Sequence, residues 1–353
     1  MNKRQSIETY FEAFRAKNTE LLTTVFDNGF GVRTFLGDLV LSLRAIESLF
    51  TKYQLNNVGI TEYVEQNDVV YIKATVTYTI DSLEISEDII GRFIFNENLI
   101  TRAYEAVEKV GYTRIMCVVT YDGSTYSGFQ RQPGLLTVQG EIEKGLRFLT
   151  KEDISIYSSG RTDKGVHAIN QTFHFDTLSK IKPIDFARVL GNYLPDSIYL
   201  KSSKFVHSTF HSRYDASSKE YMYKINIGEN NPIQRNYEWN VNGITTEVLK
   251  KELESIIGTH DFTSFTKTSE DKRSIRTILS VTIEEKGDFL NISIIGNGFL
   301  RYMVRYLVGT AVEIAKGDID NSLLDFIEYK DSSKVLWKAP SCGLYLKKVT
   351  YFE

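Results

Sequence analysis

Gly160-Arg161-Thr162-Asp163-Lys164-Gly165-Val166-His167 is the stretch on which the reading of this chain turns. It sets one carboxylate between an arginine and a lysine, inside a turn opened and closed by glycine. A strand-like run, 154–158, enters the turn and another, 172–175, follows it. Cations beside a carboxylate favour its ionised form, so the expectation is a depressed pKa at Asp163 and a group suited to attack rather than to proton donation. Arg-Thr-Asp alone fits a surface turn with a local ion pair; the whole string is far more specific.

Outward from that turn, 114–121 reads as a strand ending in Asp122-Gly123, followed by Gly128-Phe129-Gln130-Arg131-Gln132. Residues 138–149 read as a helix with Val138, Ile142, Leu146 and Leu149 on one face, and 184–193 as another. Further on come Phe210-His211-Ser212-Arg213-Tyr214-Asp215-Ala216, Lys219-Glu220-Tyr221-Met222-Tyr223 and His260-Asp261-Phe262-Thr263-Ser264-Phe265. Gly298-Phe299-Leu300-Arg301-Tyr302-Met303-Val304-Arg305 and Gly343-Leu344-Tyr345-Leu346 complete the series. Strand and helix alternating, then repeating in a second half, imply an α+β sheet with helices on one face.

Taken in order, these strings resemble the signatures of the TruA-type tRNA pseudouridine synthases, over about 240 residues from Gly111 onward. The resemblance implies a pseudouridine synthase fold of two RRM-like α+β halves with a mixed or antiparallel central sheet. It makes Asp163 the nucleophile, in a reaction that breaks the N-glycosidic bond of a uridine, turns the uracil and rejoins C5 to the ribose. Attack on the ribose and attack on the base both stay open. Arg305, the last arginine of the helix that carries its string, would hold Asp163 through a bidentate pair. Tyr221 would stack on the uracil, its hydroxyl helping to remove the C5 proton. A uridine in a stem must be flipped out, and Arg161 would fill the space it leaves. Arg131 and Gln132 are expected to touch RNA, with Lys201, Lys204, Arg213, Lys219 and Lys224 as further phosphate contacts. The family needs no metal and no organic cofactor. Its substrate is tRNA, modified at positions 38–40 of the anticodon stem-loop by a homodimer.

This chain departs from the family pattern at Phe129, where tryptophan is usual, at Lys164, where a small residue is common, and at Glu220, where a basic one is. Lys164 could meet phosphate or lower the Asp163 pKa further; Glu220 subtracts from the RNA-facing charge. Both bear on substrate choice, not on the catalytic positions.

The front of the chain is different in kind. Residues 1–108 hold 10 Lys+Arg against 16 Asp+Glu, and 109–353 hold 32 against 29. The net charge of −3 therefore hides an acidic front end and a mildly basic remainder, which is compatible with a phosphate-lined partner. Residues 5–16 present Ile7, Tyr10, Phe11 and Phe14 at helical spacing, and 43–53 present Ile46, Leu49, Phe50 and Tyr53. Three strand-like runs follow, 60–66, 69–80 and 83–95, with clean alternation from Val70 to Ile80. Helices and then long strands resemble the cone-shaped SnoaL-like (polyketide-cyclase-like) α+β fold. With no histidine or cysteine there, Asp38, Asp81 and Asp88 are the candidates to line a small-ligand pocket, and a dimerisation surface is the other use. A bound molecule in the cone would make the unit a sensor; a filled apolar core would count against that.

The domains expected are thus 1–108, SnoaL-like; 109–215, the first synthase half with the Asp163 loop; and 216–353, the second. The join at 101–109 reads as short and helical, not as a floppy linker. Cys117 and Cys342 each sit in an apolar strand-like run, as reduced thiols. No apolar stretch approaches the ~20 residues of a membrane span, so the expected compartment is the cytoplasm. A non-catalytic RNA-binding factor on the same scaffold is the rival reading; the presence of Asp163, Tyr221 and Arg305 together argues against it.

Overall fold

Asn2 accepts from the Gln5 amide and Gln5 returns the bond, a capping box that starts helix α1 (Lys3–Ala16) in this computed structural model. The structure describes residues 1–36, 38–40, 42–107, 111–266 and 274–351. They form two compact α+β units, Met1–Tyr112 with His207–Phe210, and Thr113–Val206 with His211–Glu353. The stretch 108–110, where the first domain boundary is expected, lies outside the described residues.

In the first unit α1, α2 (Thr19–Thr23) and α3 (Leu43–Phe50) accompany six strands: β1 (Phe26–Arg33), β2 (Leu39–Val40), β3 (Gln54–Gln66), β4 (Val69–Ile80), β5 (Leu83–Asn96) and β6 (Leu99–Val107). Their order is β2-β1-β6-β5-β4-β3, antiparallel except between β1 and β6. The expected faces of α1 and α3 are buried, and so are Val70, Ile72, Ala74, Val76 and Tyr78 along β4. The join expected to be helical from 101 is instead the strand β6: its Arg102 and Glu105 disguise a segment that pairs with β5 on one side and β1 on the other.

Aromatic rings pack the interior. Tyr10 meets Phe11, Phe14, Phe26 and Phe93, and Phe35, Tyr53 and Tyr78 meet one another. That filling counts against the sensor reading. Asp81 and Asp88 are exposed, and Asp38 pairs with Lys52 at 2.6 Å. The carboxylate inside is Glu105, 3% exposed, accepting from the Phe35 amide at 3.2 Å through one oxygen while Oε1 has no hydrogen-bond partner. Burial pushes its pKa up to about 7, against the Tyr10 hydroxyl and the Phe35 amide.

The second unit holds strands β7 (Thr113–Tyr121), β8 (Tyr157–Ser158), β9 (His167–Thr177), β10 (Ile198–Phe205), β11 (Ala216–Asn226), β12 (Trp239–Asn240), β13 (Gly258–Asp261), β14 (Ile275–Lys286), β15 (Phe289–Gly296) and β16 (Leu344–Tyr351). Its helices are α4 (Val138–Thr150), α5 (Phe186–Gly191), α6 (Thr246–Ser255), α7 (Met303–Lys316) and α8 (Leu323–Tyr329). The sheet is mixed, in the order β10-β7-β9-β16-β11-β15-β14-β13, with parallel pairing at β9/β16 and β11/β12. Residues 154–156, expected as strand, are not: only the short β8 precedes the Asp163 turn. The helix expected at 184–193 shrinks to α5 behind a 3-10 turn, Pro183–Asp185. Cys117 lies on β7, but Cys342 sits in the 3-10 turn Ser341–Gly343, closed by the Leu344 amide donating to the Ser341 carbonyl before β16 begins.

Strand β16 positions the site. Its Leu346 pairs with Ala168 of β9 on one side and Tyr221 of β11 on the other. Because β9 begins at His167, the turn bearing Asp163 is delivered beside the strand bearing Tyr221.

Candidate active site

The Asp163 turn is clamped by backbone contacts. The Phe129 amide donates to the Thr162 carbonyl at 3.1 Å, and the Gly165 amide to the Tyr126 carbonyl at 3.3 Å. Gly128 (φ +98°) permits this approach, since a Cβ there would lie 2.7 Å from the Thr162 carbonyl oxygen. Gly165 (φ +77°) is equally restricted, since a Cβ there would lie 2.6 Å from Ser341 Oγ. Buried Phe129, in place of tryptophan, fills its site, and the Tyr121 hydroxyl lies 2.8 Å from Thr162 Oγ1. At the entry to the turn Gln171 Nε2 donates to the Gly160 carbonyl at 2.9 Å and Lys219 Nζ to the Ser159 carbonyl at 2.6 Å.

Lys219 was expected among solvated phosphate contacts; it is instead tucked against Gly160. Burial, then the Arg213 and Arg276 cations, lowers its pKa to about 8. Lys224 pairs with Glu238 at 3.2 Å and Lys201 donates to Asn170 at 2.8 Å. Glu220 is held by Lys347 at 2.8 Å on the adjacent strand.

Asp163 keeps 24% of its side chain exposed, and Arg305 11% of its own. Their closest approach is 4.0 Å, Nη1 to Oδ2, so the bidentate pair expected is a single loose contact here. The reason is visible in Arg305: its Nε donates to the Ala339 carbonyl at 2.8 Å, which takes one arm of the fork. Residues 298–302, expected within the helix, precede it, and Arg305 stands in the first turn of α7. Nor is the Asp163 pKa depressed. Burial raises it, and outweighs the opposing cations Arg305, Arg301 and Lys338. The neighbours that matter electrostatically come from α7, the turn before it and the loop before β16.

Tyr221 is 8% exposed, with its ring edge-on to Phe299 at 5.1 Å between centroids. Burial, then Tyr121 and Asp163, pushes its phenol well above the ordinary value, so the hydroxyl stays protonated. Arg161 is exposed and its Nε donates to Gln130 at 3.1 Å. Arg131 pairs with Glu143 at 3.0 Å, and Gln132 donates to the Ser127 carbonyl at 3.0 Å. The structure thus gathers Asp163, Arg305 and Tyr221, and leaves Arg161, Arg131 and Gln132 on the neighbouring surface. Sequence reasoning missed Arg301, Lys338 and Phe299 as members of the site. Arg301 and Phe299 lie inside a quoted string, but nothing marks Lys338 in its loop.

No group of three or more His, Cys, Asp or Glu side chains among the described residues is placed to hold a metal ion. Nor is any helix among them long and apolar enough to cross a membrane.

A family model described as tRNA pseudouridine synthase matches residues 117–215 and 253–352, together more than half of the chain. The chain belongs to the tRNA pseudouridine synthase family. It is 41% identical over 247 residues to tRNA pseudouridine synthase A of Brevibacillus brevis, a match covering 67% of this chain and 99% of that protein. The enzyme of the same name from Thermoanaerobacter pseudethanolicus is 40% identical over 241 residues, covering 67% and 99%. That of Mycoplasma genitalium is 37% identical over 241 residues, covering 67% and 98%. As a synthase of this family the chain is an isomerase with tRNA as substrate.

Among solved structures, an NTF2-like protein from Rhodospirillum rubrum is similar at 11% identity and a TM-score of 0.27, covering 31% of this chain and all of that one. A protein with a ketosteroid isomerase-like fold from Catenulispora acidiphila is similar at 15% identity and a TM-score of 0.27, covering 30% and 86%.

Proposed function

We propose that this synthase converts uridine to pseudouridine at positions 38–40 of the anticodon stem-loop, with Asp163 as nucleophile. The observation that carries the reading is the convergence of Asp163, Tyr221 and Arg305, from a turn, a strand and a helix, in a site that keeps one side of the carboxylate open.

Each group has a task that its surroundings suit. Asp163 is short of water and must give up little hydration to attack the nucleotide, at the ribose or the base. Arg305, Arg301 and Lys338 keep the ionised form accessible despite burial. Tyr221, braced by Phe299, offers a ring face to the uracil and a neutral hydroxyl beside it. With that phenol protonated in the free enzyme, its help in losing the C5 proton is by hydrogen bonding and orientation. Arg161, on the surface beside the turn, is the side chain to occupy the space of the flipped uridine, and Arg131 and Gln132 extend the RNA contact. We place the reaction in the cytoplasm, carried out by a homodimer.

Tritium release from C5-labelled uridine in an anticodon stem-loop tests this directly. Release by the wild type that vanishes in Asp163→Ala is the expected outcome. Release retained in Asp163→Ala removes Asp163 as nucleophile, and none from wild type on any tRNA refutes the target.

A further inference from the structure

Tyr302 is a non-glycine residue in the left-handed region, φ 65° and ψ −2°, immediately before α7. A side chain held there carries backbone strain that the surroundings must enforce. What the strained turn achieves is an aromatic ring set among cations. The Lys338 Nζ lies 4.7 Å from the ring centroid, the Arg301 guanidinium carbon 4.8 Å and that of Arg305 5.8 Å. The Arg301 Nη2 also donates to the Tyr302 hydroxyl at 2.9 Å, fixing the arginine over its neighbour.

These three cations are the ones that Asp163 senses, yet they differ in placement. Arg305 is nearly buried and within 4.0 Å of the carboxylate, so one guanidinium already serves it. Arg301 and Lys338 are exposed, where attraction to a single carboxylate is weak. Three cations thus gather around one carboxylate at the mouth of a site whose substrate is a polyanion. A nucleotide turned out of its stack brings its phosphate with it. An arginine braced by a hydroxyl and a lysine over the same ring present a fixed fork and a point charge to such a group.

We propose that Arg301 and Lys338, organised by the Tyr302 ring, bind a backbone phosphate of the nucleotide whose uracil enters beside Asp163. The proposal rests on the reading of Asp163 and Tyr221 as the target-uridine site. It assigns a substrate contact to the turn before α7 and to the loop before β16.

The test is the salt dependence of tRNA binding by wild type, Arg301→Gln, Lys338→Gln and the double variant, with circular dichroism to confirm folding. Each lost phosphate contact lowers the slope of log affinity against log salt by roughly 0.7 for a single-stranded segment. The double variant is therefore expected to lose roughly 1.4, with a rise in KM on the order of tenfold that exceeds any fall in kcat. Arg301→Lys, which keeps the charge, is expected to keep the slope. An unchanged slope in the double variant overturns the proposal. An unchanged slope with the acid limb of kcat moved to higher pH overturns it too, and makes both cations auxiliaries of Asp163. Binding needs no turnover, so the slope decides this question even if wild type releases no tritium from an anticodon stem-loop, which is the failure that the target assignment would show.

Discussion

Glu105→Gln in the first unit should remove a pH dependence of stability, leaving the variant less stable than wild type at acid pH and more stable at alkaline pH. Glu105 is buried among Tyr10, Tyr53 and the Phe35 amide, and its pKa is raised from 4.5 to about 7. Between those values the native state holds a proton that the unfolded chain has released. Stability from this group is therefore greatest below pH 4.5 and falls as pH rises through about 7, by roughly 3 kcal/mol in all. Glutamine carries no such dependence. Its oxygen can keep the Phe35 bond, and its NH2 takes the place of Oε1, which has no partner; a stranded donor there costs about 1–2 kcal/mol. The variant is thus expected to gain about 1–2 kcal/mol on the wild type at pH 8, and to be the less stable of the two at pH 5. Amide hydrogen exchange in peptides from β4 and β5, in urea at both pH values, reads this unit alone. Both tryptophans, Trp239 and Trp337, lie in the second unit, so their fluorescence should not respond. A wild type whose first unit is equally stable at pH 5 and pH 8, or a variant weaker at both, would refute the reasoning.

Other outcomes follow from the second unit. Asp163→Asn should abolish isomerisation and raise its melting temperature at neutral pH, because the ionised carboxylate is held against burial; calorimetry showing a lower Tm would contradict that. Arg305→Met withdraws the nearest opposing cation, so the Asp163 pKa should climb further and the acid limb of the single-turnover rate should move to higher pH. Gly128→Ala forces both a positive φ and a clash with the Thr162 carbonyl, and should cost roughly 2 kcal/mol in urea unfolding along with most of the activity. Lys219→Met breaks the tie to the Ser159 carbonyl; a rate independent of that tie would show in unchanged single-turnover kinetics, whereas a loss of tenfold or so is expected.

Much of the fold was legible because periodicity survives where one face is buried. Ile7, Tyr10, Phe11 and Phe14 mark α1, and Val70 to Tyr78 mark β4, as unambiguously in sequence as in structure. What escaped were strands whose burial comes from both faces or whose residues break the alternation: β1 holds Gly29 and Gly31, and β6 holds Arg102 and Glu105. The site divides the same way. Asp163, Tyr221 and Arg305 were visible through the strings around them, and they do come together. The direction of the Asp163 pKa was misread because Arg161 and Lys164 are neighbours in the chain, whereas the pKa is set by burial and by Arg305, Arg301 and Lys338 in space. Lys338 has no local signal at all; its place over the Tyr302 ring and near Asp163 comes from the fold.

The place of β16 bears on how the molecule is made. Among the described strands it is made after all the others, yet it lies between β9 and β11 in the middle of the ten-stranded sheet. Until residues 344–351 leave the ribosome, the strands that flank it remain two separate ribbons with bare edges, open to pairing with other chains. The first unit needs nothing from that strand to pair its own six. Synthesis therefore yields a folded front end on a nascent catalytic unit that cannot assemble its Asp163–Tyr221 juxtaposition until residues 344–351 have threaded into place.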